Sequence, residues 1–446
     1  MPLGIGVVIM DLNWEALVDI ATEGLVCDRC LGRAFGKIGK DMDNLSRGAI
    51  LRGVALGGDV VADPELLQVI FSSEKPEGKP LESHPNCPVC EGIFQDIQGL
   101  AELVMNAFDG FECNNFQLGS KMDTQVISAE EGLWNKLGTE NGESIKSEMN
   151  RVVGKRVEET LKVPAEFSRP DIVAILDTRF NTVKLQISPV FFYGRYRKLK
   201  RGIPQTRWHC RSCRGRGCDR CDGTGKMYQT SVEELITEPV LKEFVGKEAF
   251  LHGMGREDID ARMLGDGRPF AMEVREPRRR QLDWEKLERD INTNGGGDVE
   301  VQDIRGSSRE EMVELKASRS EKTYLARIEF EEDVDLEKVK SVISSFGGTQ
   351  ITQRTPKRVA HRRSDLERSR RVELMELVEA DGRRASVKVR GEAGLYIKEL
   401  IHGDGGRTQP SLTGALGVPC TVIELDVLQV HAEPHNTQRE SDGQKI

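Results

Sequence analysis

The chain is short of aromatics, 5 % of its 446 residues, and it has no long apolar run. Nothing approaches the roughly 18–20 consecutive apolar residues of a membrane span, so a helical membrane protein is excluded. The opening stretch MPLGIGVVIMDLNWE lacks the basic flank of a secretion signal and turns acidic at once. A cytoplasmic location is therefore expected. Long-period repeats and low-complexity segments are missing too. A net charge of −9 lacks the positive excess of a typical nucleic-acid binder. What is left is an ordinary globular composition, 31 % charged, with length for two or three domains that each bury a core.

The charge is not evenly spread. Arg195 to Arg220 holds ten basic residues and one acid, Asp219. Arg354 to Arg371 holds eight basic residues against Asp365 and Glu367. Acids gather elsewhere, as in EEDVDLE. Segregation of this kind suits a phosphate-binding face; two solvated surface loops are the alternative.

Eight of the ten cysteines form four C-x-x-C units: Cys27/Cys30, Cys87/Cys90, Cys210/Cys213 and Cys218/Cys221. Disulfides are not expected in a cytoplasmic chain. Two such units supply the four thiolates of a tetrahedral zinc site, because the short spacer lets both sulfurs face one metal. CRSCRGRGCDRCDGTGK is two copies of C-x-x-C-x-G-x-G, whose glycines permit tight turns that aim N–H groups at thiolates. This tandem resembles the zinc repeats of DnaJ-type chaperones, with two copies only. The first two units must meet across 56 intervening residues, which the logarithmic growth of loop-closure entropy allows. One or two structural zinc ions are expected. Redox or inert thiols are the alternative.

Residues 1–92 read as helical, with WEALVDIATEGL amphipathic. Residues 93–200 mix helix and strand, and RPDIVAILDTRFNTVKLQISPVFFYGRY reads as two strands about an Asn-Thr turn. Residues 201–230 form a basic, cysteine-rich connection. Residues 231–432 read as a larger α+β unit, with strands at TYLARIEFE, RASVKVRG and CTVIELDVLQV and a helix at LEKVKSVISSF. Residues 433–446 are polar and expected to be disordered.

GREDIDARMLGDGRPF, Gly255 to Phe270, packs four acids and three arginines into sixteen residues. It is too turn-rich for a helix and too charged for a buried strand. A carboxylate beside a guanidinium stays ionised, and an ionised, desolvated carboxylate can act as a nucleophile. Composition does not choose among Glu257, Asp258, Asp260 and Asp266.

The run resembles the catalytic motif of pseudouridine synthases, most closely the archaeal and eukaryotic family called Pus ten. FFYGRYRKLKRGIPQTRW, SVEELI, EKTYLARIEF, TPKRVAHRR and GLYIKELIHGDGGRTQPSL resemble further segments of that family in the same order. FQLGSKMD is similar to its THUMP RNA-binding domain. The resemblance implies that Asp258 is the catalytic aspartate, with no cofactor and no metal at the reaction centre. It implies Arg256 beside a flipped nucleotide, Tyr324 stacked on the uracil, Tyr396 and Ile397 as an apolar wall, and Leu425 as the third-motif leucine. Its substrate would be uridine in the T-arm of tRNA, at position 54, position 55 or both. Flipping that uridine costs a few kcal/mol, offset by stacking and phosphate contacts. Lys357, Arg358, Arg362 and Arg363 are the first phosphate candidates, and Lys198, Lys200 and Arg201 the second. Glu257 is expected in solvent, Asp260 paired with an arginine such as Arg262, and Asp266 at an exposed turn.

The fold implied is α+β. A catalytic domain at 231–432 has a central, mainly antiparallel sheet. A THUMP-like module occupies 93–200, with a zinc-stapled helical segment at 1–92. The chain is expected to act as a monomer.

Overall fold

The computed structural model describes residues 12–39, 41–57, 64–73, 79–362 and 364–432, without side chains at 64–66, 73, 361 and 362. The tail 433–446 and Arg363 lie outside the described residues. Two compact units divide at Ser188/Pro189, each with its own sheet. No helix among the described residues is long and apolar enough to cross a membrane.

The first unit carries a three-stranded sheet. Strand β1 (Phe116–Lys121) runs parallel to β2 (Ile172–Asp177), and β3 (Thr182–Ile187) returns antiparallel to β2. A parallel pair needs a crossover. Helices Thr124–Leu137 and Ile145–Leu161 supply it, each started by a side-chain cap, Asp123 and Ser144. Ile172, Ala174 and Leu176 alternate inward on β2 and join a core with Val153 and Val157. That same core continues into the N-terminal helices through Leu17, Ile20, Leu31 and Leu51. The expected boundary at residue 92/93 therefore has one hydrophobic core running across it.

The second unit is a ten-stranded sheet. Its strands are β4 (Val190–Lys198), β5 (Glu248–Gly253), β6 (Arg262–Arg275), β7 (Val299–Ser307), β8 (Glu321–Phe330), β9 (Gln350–Arg354), β10 (Glu367–Asp381), β11 (Arg384–Gly391), β12 (Thr408–Gln409) and β13 (Cys420–His431). The order is β12-β9-β10-β11-β8-β13-β6-β4-β7, with β5 on β6. Every pairing is antiparallel except β13 with β6. The expected mainly antiparallel sheet is what forms.

The parallel seam is short, with the register Asp426↔Arg262 and Val427↔Met263. A separate core packs on each side of it. Phe192, Phe244, Phe270 and Ile291 lie in one, and Ile328, Val339, Val387 and Leu400 in the other. Tyr324 packs against both.

Two expectations about strands need correction. β4 pairs with β6 and β7 in the large sheet, although its sequence was grouped with residues 93–200. The stretch read as two strands is three, split between two sheets. Arg262 to Phe270, judged too charged for a buried strand, is the start of central strand β6. Its charges are neutralised pairwise: Arg262 meets Asp426 at 2.7 Å and Arg268 meets Glu257 at 2.9 Å.

Candidate active site

Asp258 lies in the loop that joins β5 to β6. Its backbone is fixed from beneath. Lys198, fully buried on β4, donates from Nζ to the carbonyls of Ile203, Asp258 and Ile259 at 3.0, 3.1 and 3.2 Å. Burial pushes the Lys198 pKa down, with Glu257 working against that shift. Glu257 is buried as well. Its Oε2 accepts from the Tyr196 hydroxyl at 2.8 Å and from Arg268 Nε at 2.9 Å, and Gln205 donates to the same Tyr196 oxygen at 2.8 Å. The loop is thus pinned to β4 and β6 by charged groups withdrawn from water. Gly255 opens it at φ +80°, where a Cβ would stand 3.2 Å from Arg268 Nη1.

The Asp258 carboxylate points to a different set of partners. Arg358 Nη1 lies 3.0 Å from its Oδ2, and Lys398 Nζ is 3.6 Å away. Arg358 also reaches Glu399 at 2.7 Å, a buried acid in the helix Ile397–His402. Lys398 bonds Asp260 at 2.6 Å. Both cations hold the Asp258 carboxylate in place.

A cavity of about 460 Å³ opens beside this carboxylate. Arg256, Asp258, Tyr324, Tyr396, Ile397 and Leu425 all line it, so the six residues that the sequence singled out around the substrate converge on one space. Arg256 also lies 5.4 Å above the Trp208 ring. Burial pushes the Tyr324 phenol up to about 12, so it keeps its proton at neutral pH. Gln353 clamps the Tyr396 backbone, accepting from its N–H at 2.8 Å and donating to its carbonyl at 2.9 Å.

The chain matches the family described as Pus10, C-terminal, over residues 191–431. It belongs to the Pus10 family. Residues 100–177 match the archaeal Pus10 THUMP domain. The tRNA pseudouridine synthase Pus10 of Methanothrix thermoacetophila is 42 % identical over 427 residues, 94 % of each chain. That of Methanothermobacter marburgensis is 44 % identical over 424 residues, 93 % of this chain and 97 % of its own. A solved Cbf5–Nop10–Gar1 complex overlays 45 % of each chain with a TM-score of 0.29 at 23 % identity, too slight a likeness to carry argument.

In this Pus10 chain several of the expected side-chain roles change. Lys198 is not available to phosphate, because its ammonium is spent on three carbonyls inside the protein. Arg201 is turned inward to Asp426 at 2.6 Å and to the Leu425 carbonyl at 2.7 Å. Arg358 sits on Asp258. Lys200 is exposed and pairs with Asp298 at 2.7 Å, and Lys357 is exposed. The Arg362 side chain and Arg363 are not described. Glu257 is buried rather than solvated, because Arg268, Tyr196 and Lys198 surround it. Asp260 pairs with Lys398, not with Arg262, which is taken by Asp426. Asp266 is exposed as expected, but it lies within strand β6, between Gly265 and Gly267, rather than at a turn. Sequence reasoning missed Lys398 and Glu399, although both stand in the quoted GLYIKEL segment.

Both cysteine sets assemble. Cys27, Cys30, Cys87 and Cys90 have all four sulfurs within 4.8 Å of one another, and so do Cys210, Cys213, Cys218 and Cys221. Neighbouring sulfurs lie 3.7 and 3.8 Å apart in the first set and 3.7, 3.8 and 3.9 Å apart in the second. A tetrahedron with Zn–S bonds of about 2.3 Å has S···S edges of about 3.8 Å, so the donors fit zinc. Gly217 and Gly225 donate their N–H groups to Cys213 and Cys221, each at 3.2 Å. A Cβ on Gly225 would fall 2.3 Å from the Gly215 carbonyl, so the two repeats touch through their glycines. Either set could hold a metal with a structural part, far in role from the Asp258 cavity.

Proposed function

We propose that the chain is a tRNA pseudouridine synthase that isomerises uridine in the T-arm, at position 54, position 55 or both, with Asp258 as its catalytic carboxylate. The observation that carries this reading is the convergence of Asp258, Tyr324, Tyr396, Ile397 and Leu425 on one cavity. The THUMP match and the names of the relatives support tRNA as the substrate.

A stacked uridine must leave its helix before its ribose is reachable. In the cavity the Tyr324 ring offers a stacking face, and Tyr396, Ile397 and Leu425 an apolar wall. The Asp258 carboxylate, held by Arg358 and Lys398, attacks ribose C1′ or removes a C2′ proton. The C1′–N1 bond breaks and its electron pair leaves with the uracil. The ring turns and C5 bonds to C1′ as the Asp258–C1′ ester bond breaks, or as the proton taken from C2′ returns to it; the C5 proton is then lost to solvent beside the Tyr324 hydroxyl and N1 takes up a proton. No electrons are gained or lost overall. Exposed Lys357 and Lys200 are the phosphate contacts that remain available among the described candidates.

Asp258→Asn tests the assignment. Tritium release from C5-labelled uridine in a tRNA transcript should vanish while tRNA affinity changes little. Appreciable release by this variant would remove Asp258 from the chemistry. Mapping pseudouridine in treated tRNA tests the choice of position.

A further inference from the structure

Lys322 stands on β8 two residues before Tyr324, so both side chains leave the same face of the strand, and both line the cavity. Lys322 is only 9 % exposed. Among the described residues its Nζ has one acceptor, the Ser320 carbonyl at 2.8 Å. An ammonium carries three N–H donors and a full charge. Burying it without a counter-ion is unfavourable.

The nearby carboxylates are already committed. Glu257 is held by Arg268 and Tyr196, and Asp258 by Arg358 and Lys398. What stands next to Lys322 is a second cation. A Cβ on Gly255 would meet Arg268 Nη1 at 3.2 Å and Lys322 Cε at 3.5 Å, so both side chains lie together beneath the turn that leads to Arg256 and Asp258. Burial and the Arg268 guanidinium push the Lys322 pKa down to about 8. Arg268 is answered by Glu257, whereas Lys322 has no ion pair among the described residues, so its ammonium leaves a place for negative charge from outside the protein.

We propose that Lys322, backed by Arg268 beneath Gly255, is an anion-binding site for a negatively charged oxygen of the substrate nucleotide. This rests on the reading of the cavity as a uridine site. Two oxygens have the right chemistry. One belongs to a phosphate that flanks the flipped uridine and is charged before reaction. The other is a carbonyl oxygen of the detached uracil, which carries the glycosidic electron pair once C1′–N1 has broken. The first would be held in the ground state, and the second only as the bond breaks.

The full chain is compared with Lys322→Met, which keeps length and removes charge, and with Lys322→Gln. Tritium release at saturating enzyme and filter-binding affinity for the same tRNA are measured together. A uracil oxygen predicts a rate loss of roughly 10²-fold with affinity unchanged. A phosphate predicts affinity weaker by about tenfold and a shallower salt dependence. Lys322→Met should melt no lower than the parent, since it removes an uncompensated buried charge, and Lys322→Gln serves if it does. Rate and affinity both within about twofold of the parent in the two neutral variants would overturn the site. If the parent itself releases no tritium, the synthase reading fails. The affinity arm alone then decides, with unchanged binding in both variants counting against an anion site.

Discussion

Lys198→Met separates a scaffold role from a phosphate contact. Methionine matches the lysine stem but has no donors. Three carbonyls, of Ile203, Asp258 and Ile259, lose the Nζ that bonds them at 3.0–3.2 Å. Glu257 loses the cation 3.8 Å from its Oε1, an oxygen without another hydrogen-bond partner. Removing one member of a buried charged network costs about 3–5 kcal/mol. The lower end applies, because Glu257 keeps Arg268 and Tyr196 and because the variant no longer has to bury an ammonium. At about 3 kcal/mol, a unit of this size should lose roughly 6–12 °C in Tm. The Asp258 loop loosens, so tritium release should fall by about tenfold or more. The salt dependence of tRNA binding should not move. Calorimetric melts and binding isotherms at several salt concentrations read both effects. An unchanged Tm together with a salt slope reduced by about one would refute the reasoning and return Lys198 to the RNA surface.

Lys322 should act on activity and stability with opposite signs. Its ammonium is present below about 8 and lost above it, so its share of the rate falls as pH rises through that value; a limb that persists in Lys322→Met would assign it elsewhere. The unfolded chain holds that proton up to the ordinary value of 10.5, so stability from this group should rise between about 8 and 10.5, which melts of parent and variant against pH would check. For the cysteine sets, Cys30→Ser and Cys218→Ser should each remove one zinc per chain by elemental analysis, and Cys30→Ser should make the first unit sensitive to protease, since its sulfurs belong to that unit's core. A purified parent that is folded without metal would contradict this.

How much was legible followed the range of the interactions. The cysteine sets were legible because each half is a local spacing, and only the meeting of Cys30 with Cys87 needed a long-range argument. Strands β8, β11 and β13 were legible because their alternation is local. Asp258 could not be ranked above its neighbours by composition; a family pattern ranked it. Glu257 was misjudged for a related reason. An acid in a charged run looks solvated until Tyr196, 61 residues earlier, and Arg268, eleven later, are known to enclose it. Lys198 and Arg201 misled in the same way, since a basic stretch gives no sign of which side chains turn inward. β4 was placed in the wrong unit because its residues alternate like those of the strand before it. Alternation says that a strand exists and not which sheet it joins.

Among the described strands, the two halves of the large sheet meet only through β13, paired with β8 on one side and β6 on the other. Of the described strands of that sheet, it is the last to leave the ribosome. Leu425 and the acid that holds Arg262 and Arg201 travel on it. Until it arrives, β6 and β8 are two open edges, each backed by its own nascent core. The first unit can close while synthesis continues, but the cavity beside Asp258 is assembled in a single late step. A nascent chain that stalls before residue 420 would present unpaired strand edges to its neighbours and would have no site to offer a tRNA.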